Sequence, residues 1–285
     1  MVAVALVTIN KMKKIAITGG KGGTGKSTFT IIFANKLIKK DKKVLLVDCD
    51  IECPNLYLLI NKGLGKIQIK VYTQKPVIDK NKCQQCGLCV KNCRNNAIFI
   101  SPKKYPIILE HLCSSCGACW LTCPNEAIKT KKEEIGKIHL NKISSKLTLI
   151  TGVAKPALED TSSIVKQLKD FSLDLAHKNK VDYIIYDTAA GTHCPVIIAL
   201  LDNDLSYVVT EPTPLGAHDL NLILTLIEKI KIKKKIVLNQ ANLGKIDSTL
   251  KILKKHKIKK IDIKIPYSKK IVKHYSNGDM LNCLI

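Results

Sequence analysis

Apolar positions along the chain alternate between short continuous runs and longer segments with helical periodicity. The short runs are rich in Val, Ile and Leu, as expected of strands covered on both faces of a sheet. The longer segments place an apolar residue every three or four positions, which predicts amphipathic helices. Predicted strands span 13–19, 42–50, 181–187, 205–212, 233–240 and 259–267, and predicted helices span 25–40, 157–178, 217–230, 247–256 and 268–277.

This alternation predicts an α/β fold with a doubly wound, mostly parallel sheet. It is interrupted at residues 66–131, where the pattern predicts only short strands between cysteine loops. Here "KCQQCGLCVKNCRNNAI" (82–98) is repeated as "LCSSCGACWLTCPNEAI" (112–128), which predicts one small pseudo-symmetric unit. We therefore predict a discontinuous α/β domain, 1–66 and 132–285, with an inserted domain at 67–131.

The first predicted strand runs into a glycine-rich loop, "GKGGTGKS" (20–27), which opens the first predicted helix. The loop fits the P-loop pattern, in which backbone N–H groups and a helix amino terminus face phosphate oxygens. We expect Lys26 to lie against the β- and γ-phosphates and Ser27 to hold Mg²⁺; the alternative is a glycine-rich turn without a ligand. The predicted nucleotide-binding residues are Gly20, Lys21, Gly22, Gly23, Thr24, Gly25, Lys26, Ser27 and Thr28.

The loop has an additional lysine at its second position. Together with "VDCD" (47–50) and "YDTAAG" (186–191), it resembles the deviant Walker A ATPases of the MinD/ParA type, which include the nitrogenase iron protein. The resemblance implies an ATP-dependent homodimer in which Lys21 reaches the partner subunit's phosphates; a solvated loop lysine is the alternative. It also implies that Asp50 orients the attacking water, Asp48 supports the Mg²⁺ shell and Asp187 is the Walker B carboxylate.

Three later segments resemble the same family: "TEPTPLGAHD" (210–219), "LNQ" (238–240) and "IPYS" (265–268). The resemblance implies that Asn239 hydrogen-bonds the adenine and that the chain passes beside the base at Pro266. ATP and Mg²⁺ are the expected cofactors. The catalytic residues of ATP hydrolysis are expected to be Lys21, Lys26, Asp50 and Asp187.

The chain has 12 cysteines, and eight of them lie between residues 83 and 123. They form Cys-x₂-Cys-x₂-Cys-x₃-Cys twice, the pattern of bacterial ferredoxins in which each motif lends its fourth cysteine to the other cluster. A zinc site and a disulfide framework are the alternatives. The pattern predicts two 4Fe–4S clusters, one on Cys83, Cys86, Cys89 and Cys123 and the other on Cys93, Cys113, Cys116 and Cys119. From Met12 onward, the chain resembles MinD-like ATPases with an inserted small α+β ferredoxin domain of the bacterial type.

Four cysteines lie outside this pattern. Cys194 follows "YDTAAG", which resembles the second switch segment (switch II) of the family, as a cluster ligand does in the nitrogenase iron protein. A redox or switch-linked role and a buried structural thiol are therefore the two alternatives for it. The same two alternatives apply to Cys49 and Cys53. Cys283 is expected to be incidental.

The formal net charge is +24, and Arg94 is the only arginine. Because arginine is the side chain that forks onto bases and phosphates, this composition argues against specific nucleic-acid binding. The lysines predict a solvated surface, and docking of an acidic partner is the alternative. No apolar run reaches the length of a membrane span, so we expect a cytoplasmic protein without a membrane segment. Residues 1–11 are expected to be an upstream extension.

These features predict an ATPase that couples the nucleotide state of a dimer to electron transfer or to metallocofactor and Fe–S assembly. The expected partner is a redox or cofactor-assembly protein. One alternative is an Fe–S scaffold or carrier ATPase, although the chain lacks the carriers' Cys-x-x-Cys near the C-terminus. Another is a MinD/ParA-like positioning ATPase, which would leave the cysteine motifs unexplained.

Overall fold

The structure is a computed structural model that describes residues 12–100, 102, 104–158 and 160–283; the expected extension at 1–11 lies outside these residues. The strands in this part of the chain are β1 (Lys13–Thr18), β2 (Val44–Cys49), β3 (Lys66–Ile78), β4 (Ile98–Phe99), β5 (Ile107–Ile108), β6 (Ile128–Lys142), β7 (Leu147–Ala154), β8 (Tyr183–Thr188), β9 (Leu205–Thr210), β10 (Lys234–Leu238) and β11 (Ile263–Lys264). The helices are α1 (Lys26–Ile38), α2 (Leu56–Leu59), α3 (Leu88–Lys91), α4 (Ala118–Leu121), α5 (Ser162–Lys178), α6 (Cys194–Leu200), α7 (Pro214–Lys229), α8 (Asp247–Lys255) and α9 (Lys269–Asn277), with 3₁₀ turns at Glu110–Leu112 and Met280–Asn282.

A nine-stranded sheet in the order β11-β10-β9-β1-β8-β2-β7-β6-β3 organises the molecule. The seven strands from β11 to β7 pair in parallel, and β6 and β3 add an antiparallel edge. Because parallel strands end at the same edge, the loops after β1, β2 and β8 meet there. The predicted α/β fold with a mostly parallel sheet is confirmed.

Strand side chains alternate between two apolar layers. Ile15 and Ile17 of β1 belong to the core layer that includes Phe29 of α1, whereas Ala16 belongs to the opposite layer with Leu220 of α7. A third cluster lies under α5 and includes Leu168, which is fully buried. Helices therefore cover both faces of the sheet, as the nearly continuous apolar strands required.

The middle of the chain differs from its prediction. Strands β3 and β6 form a long antiparallel ribbon, paired from Lys66↔Leu140 to Ile78↔Ile128, where only short strands were expected. The predicted domain limits at 66/67 and 131/132 therefore coincide with the start of one strand and fall inside the other. The signal was missed because much of β3 is exposed, so it lacks an apolar alternation. The strand β7 was also not predicted.

The ribbon extends beyond the edge of the sheet where the parallel strands end. Gly136 of β6 pairs with Ala154, the last residue of β7, so residues 128–135 continue past that edge. The cysteine motifs are attached to this extension. The topology thus places them on the same edge of the sheet as the loop that follows β1.

No helix in the described ranges is long and apolar enough to cross a membrane.

Candidate functional site

The glycine-rich loop lies between β1 and α1, as predicted, and close contacts fix two of its glycines. Gly25 has a φ of 89°, and a Cβ there would lie 2.3 Å from Nδ2 of Asn239. A Cβ on Gly20 would lie 2.3 Å from the carbonyl oxygen of Asp219. The loop is therefore held against the carboxyl-terminal half of the chain in a backbone shape that side chains at these positions would prevent.

Lys26 begins α1 and is buried. Its Nζ donates to the carbonyl oxygen of Lys21 at 3.1 Å. Burial lowers the pKa of Lys26, while the carboxylates of Asp187 and Asp50 act in the opposite direction. The ammonium group is thus placed between the loop and two acidic side chains.

Two carboxylates lie side by side at the ends of β2 and β8, where Asp48 and Asp187 are paired in register. The Oδ1 atom of Asp187 accepts a hydrogen bond from Thr30 Oγ1 at 2.8 Å. Burial raises the pKa of Asp187 to about 6, opposed by hydrogen bonds from Ser27 and Thr30. Burial and the neighbouring Asp187 raise the pKa of Asp48 well above its usual range. Such a pair favours a nearby cation, as a Mg²⁺ site requires.

Asp48 uses its carboxylate to shape the loop after β2. It accepts backbone N–H hydrogen bonds from Asp50 at 3.2 Å, from Asn55 at 3.0 Å and from Leu56 at 3.0 Å. These bonds fix the segment that carries Asp50. In this structure Asp48 therefore orders the loop after β2, residues 50–55, which we call the switch loop; its predicted support of Mg²⁺ stays a prediction.

Asp50 lies at the border of the main cavity. Partial burial raises its pKa, while the backbone N–H of Cys53 and the charge of Lys26 oppose that shift. The side chain is half-buried and faces the loop, which suits a group that positions water.

The cavity at this edge has an empty volume of about 1300 Å³, including the space open to solvent. Its lining includes residues of the P-loop together with Asn239 and Pro266. Asn239 donates from Nδ2 to the Thr24 carbonyl oxygen at 3.0 Å, so it also holds the loop. The predicted residues on the lining are Gly22, Gly23, Gly25, Lys26, Ser27, Thr28, Asp50, Asn239 and Pro266; Gly20, Lys21, Thr24, Asp48 and Asp187 lie outside it.

Sequence reasoning missed an apolar wall of the same cavity. Ile271, Val272 and Tyr275 of α9 line it beside Tyr267. Val272 is 43% exposed and Tyr275 is 51% exposed, so these side chains face open space. Their helical spacing on an otherwise polar helix was the available signal. An apolar wall opposite the phosphate loop suits a flat heterocycle.

Lys21 is held within its own subunit. Its Nζ lies 2.7 Å from Oε1 of Glu211, and both side chains are mostly buried. The same Glu211 oxygen accepts a hydrogen bond from Thr213 Oγ1 at 3.0 Å. Lys21 is therefore anchored by an ion pair in the single chain and is not a freely solvated loop lysine.

The eight clustered cysteines surround two small cavities, with empty volumes of about 350 and 340 Å³ including the space open to solvent. Each cavity combines three cysteines of one motif with the fourth cysteine of the other. The first is lined by Cys83, Cys86, Cys89 and Cys123, and the second by Cys93, Cys113, Cys116 and Cys119.

None of these eight cysteines forms a disulfide. Burial raises the pKa of Cys89 and raises that of Cys119 to about 11, which favours the neutral thiol unless a cation is bound. Among the described residues, no group of three or more Cys, His, Asp or Glu side chains is placed to hold a single metal ion. The cysteines thus surround volumes and do not converge on one point.

The other cysteines are dispersed. Cys194 is exposed at the first residue of α6, and Cys53 is exposed on the lining of the main cavity. Cys49 and Cys283 are buried, and burial raises the pKa of both thiols. For Cys194, the expectation of a buried structural thiol does not agree with the structure, because this residue is exposed.

The P-loop between β1 and α1, with buried carboxylates near the carboxyl ends of β2 and β8, defines a P-loop nucleotide-binding protein. Residues 15–281 match the family described as the CobQ/CobB/MinD/ParA nucleotide binding domain, and the chain belongs to this family. The predicted MinD/ParA resemblance is confirmed at this level.

Known proteins similar to this chain agree with that assignment. A protein of Methanocaldococcus jannaschii without a functional name is 37% identical over 271 residues, 95% of this chain and 92% of its own length. The septum site-determining protein MinD of Synechocystis is 27% identical over 220 residues, 77% of this chain and 61% of that protein. The structure of MinD from Pyrococcus horikoshii complexed with Mg-ADP has a TM-score of 0.52 and 18% identity, covering 94% of this chain and 86% of the other. That structural likeness supports the fold.

Replacing Asp187 with Asn tests how much the burial of this carboxylate costs in stability. The pKa is about 6 in the folded chain against an ordinary value of 3.8, so the folded state holds this proton more tightly and ionisation opposes folding. Without Mg²⁺ or nucleotide, we expect the wild type to lose stability between about pH 4 and pH 6. Asp187→Asn should be more stable than the wild type by about 1–3 kcal/mol above that range and equal to it below.

Denaturant unfolding across this pH range measures the difference. The exposed Asp174→Asn on α5 is the matched control and should match the wild type at every pH. Mg–ATP should raise the melting temperature of the wild type and of the control. It should raise the melting temperature of Asp187→Asn much less. An Asp187→Asn protein that is less stable than the wild type at neutral pH would contradict the charge argument.

Proposed function

We propose that the chain binds Mg–ATP in the P-loop cavity and hydrolyses it. The observation that supports this most is the grouping of Lys26, Asp187 and Asp50 around one loop at the edge of the sheet. Lys26 balances charge on the phosphates, and Ser27 and Asp187 would hold Mg²⁺. Asp50 directs a water at the γ-phosphorus. The new P–O bond forms as the bond to the β,γ-bridging oxygen breaks, giving ADP and phosphate.

The base is proposed to lie in the same cavity, beside Asn239 and Pro266. Tyr275 and its apolar neighbours on α9 also line this cavity. Asn239 already donates to Thr24, so its Oδ1 is the atom left for the exocyclic amino group of adenine. Binding of the base to Asn239 would therefore tighten the contact between the P-loop and the carboxyl-terminal half of the chain.

The ATP-bound form is proposed to be a homodimer in which Lys21 reaches the partner subunit's phosphates. This assignment comes from the family resemblance and is compatible with the position of Lys21 on the loop. The ion pair with Glu211 at 2.7 Å would have to open first. Since both side chains are mostly buried, the pair keeps the lysine out of solvent until a new anion replaces Glu211.

We propose that residues 67–131 form a ferredoxin domain with two 4Fe–4S clusters on the two cysteine sets given above. The supporting observation is that each cavity brings together the four cysteines that the ferredoxin pattern assigns to one cluster. In a four-iron cluster each thiolate binds a different iron, so ligands surround a volume, whereas zinc needs them around one point. When bound, the two clusters would supply one-electron transfer.

Two backbone hydrogen bonds support the assignment of the two cysteine sets as cluster ligands. The N–H of Ala97 donates to Cys93 Sγ at 3.2 Å, and the N–H of Ala127 donates to Cys123 Sγ at 3.3 Å. Such donors stabilise negative charge on a coordinated sulfur. Each cavity therefore has one N–H···S bond on the cysteine that comes from the other motif.

The nucleotide site is proposed to act on the ferredoxin unit through the end of β7. Ala154 donates its N–H to the carbonyl oxygen of Ile51, next to Asp50, at 2.8 Å. The following residue, Lys155, donates to the carbonyl oxygen of Ile135 on the ribbon, also at 2.8 Å. A movement of the switch loop at Asp50 would thus shift the ribbon that carries the cysteine motifs.

An acidic redox or cofactor-assembly protein is the proposed partner. Residues 67–131 contain ten Lys and Arg against three Asp and Glu. This excess favours docking of an acidic surface and makes association dependent on salt. Assembly of Fe–S clusters for delivery is less compatible, because eight ligands in two closed sets hold clusters firmly.

A positioning role is the second candidate, because the similarity to septum site-determining MinD favours it. In that case nucleotide would control association with a surface or a protein array, and the cysteines would be structural. The two candidates differ in whether the purified chain contains iron.

Lys21→Ala tests the dimer. With a slowly hydrolysed ATP analogue and Mg²⁺, the wild type should have about twice the mass of one chain by light scattering, because each Lys21 contacts the other subunit's phosphates. Lys21→Ala should remain a monomer, and Glu211→Gln should dimerise at a lower nucleotide concentration because its ion pair is lost. The exposed Lys233→Ala removes the same charge and should behave as the wild type. Nucleotide-dependent dimerisation of Lys21→Ala would argue against the proposed role.

Iron and sulfide analysis tests the ferredoxin domain. Anaerobically purified wild type should contain about eight iron and eight sulfide per chain, the content of two 4Fe–4S clusters. Cys119→Ser should lose about half of both, because it removes a ligand of one set. Cys194→Ser, at an exposed cysteine outside both sets, should keep the full content. Stoichiometric zinc without sulfide in the wild type would favour the positioning candidate.

A further inference from the structure

The two cysteine sets are related by an internal symmetry that extends beyond the cysteines. "PVIDKNKC" (76–83) corresponds to "PIILEHLC" (106–113), an offset of thirty positions. Backbone with positive φ recurs at matched positions: Gln85 with Ser115, Gly87 with Gly117 and Asn96 with Glu126. The N–H···S bonds of Ala97 and Ala127 are matched too. The surroundings of the two sites are therefore expected to be alike except where particular side chains differ.

One difference is a buried charge. Lys75 is 4% exposed, and its Nζ donates to the carbonyl oxygen of Cys113 at 2.7 Å and to that of Glu110 at 3.2 Å. The matched position is Tyr105, which is 36% exposed and has Lys80 near its ring, at 5.9 Å from Nζ to the centroid. A buried cation thus lies behind Cys113 of the second set, whereas the matched residue of the repeat, Tyr105, has an uncharged phenol side chain.

The other charges around the two sites are paired or at the surface. Glu110 pairs with Lys131 at 2.8 Å, and Asp79 pairs with Lys129 at 3.3 Å. Arg94, next to Cys93, is exposed. Among the described residues from 67 to 131, Lys75 is the one buried charged side chain.

We propose that Lys75 raises the reduction potential of the cluster held by Cys93, Cys113, Cys116 and Cys119, and so makes the two clusters unequal. The proposal rests on the ferredoxin domain proposed above. Reduction adds one electron from an external one-electron carrier, with no bond made or broken at the protein. A buried cation beside a ligand stabilises that added negative charge much more than a solvated one. Lys75 is thus not a cluster ligand; it acts on the reduced cluster through its charge.

A second difference between the two sites is apolar, and its effect on the reduction potential is opposite to that of Lys75. Trp120 lines the second cavity at the position matched by Val90 in the repeat. The larger ring excludes water, which disfavours added negative charge. The effect of Lys75 must therefore be measured by substitution at residue 75, and the difference between the two wild-type potentials alone does not isolate it.

The test is a potentiometric titration of the full chain, followed by electron paramagnetic resonance, on Lys75→Gln and Lys75→Met. Gln can still donate to the two carbonyl oxygens but has no charge, so it separates charge from hydrogen bonding. In both variants the reduction equilibrium of one cluster should become at least about tenfold less favourable, or about 59 mV lower, and that of the other should stay unchanged. The exposed Lys91→Met removes the same charge in the same unit and should shift either equilibrium by less than about twofold.

Tyr105→Lys provides an independent test if the Lys75 variants lose clusters. Residue 105 is matched to Lys75 in the repeat, so a lysine there is expected to bond to the matched carbonyl oxygens, those of Lys80 and Cys83, and to leave solvent as Lys75 does. It should raise the potential of the cluster that Lys75 does not affect. Full iron content with unchanged potentials in the Lys75 variants, or in Tyr105→Lys when they do not assemble, would overturn the inference and leave the ferredoxin domain intact. Wild-type protein without iron and sulfide would overturn the ferredoxin domain, and this inference with it.

Discussion

The α/β domain depends on the balance of charge at the carboxyl ends of β2 and β8. Asp48 and Asp187 are buried next to each other, and burial raises the pKa of both. One lysine of the P-loop, Lys26, is buried above them. Asp48 is stabilised by three backbone donors, which order the switch loop, whereas Asp187 has the hydroxyl of Thr30. The site is therefore costly without a cation and is prepared for a metal and phosphates.

The same edge of the sheet joins the nucleotide site to the cysteine motifs. The loop after β2 is bonded to the end of β7 through Ile51, and β7 is bonded to the ribbon through Lys155. Below this junction, Gly152 has no space for a side chain, since a Cβ would lie 2.5 Å from Ile51. A movement of the switch loop would thus reach the ribbon through backbone contacts of consecutive residues, without a long side-chain pathway.

The sequence predicted the parts of the structure that depend on local pattern. The P-loop, the parallel strands and the two cysteine sets follow from glycine spacing, apolar runs and cysteine spacing. The ribbon was missed because solvent-exposed strands need no apolar alternation. Buried lysines were missed because burial depends on tertiary contacts: Lys75 bonds to carbonyl oxygens near Cys113, and Lys169 bonds to those at the end of α6, including Ile198 at 2.9 Å. Such lysines look like surface residues in the sequence.

We propose that nucleotide bound at the P-loop changes the reduction potentials of clusters held by the two cysteine sets. The most direct measurement compares the reduction potentials of the clusters in the full chain with Mg–ADP and with Mg and a slowly hydrolysed ATP analogue. The account predicts that at least one potential differs between the two states, because the switch loop and the ribbon share the end of β7. Identical potentials in both states, in protein that binds both nucleotides and contains both clusters, would contradict it.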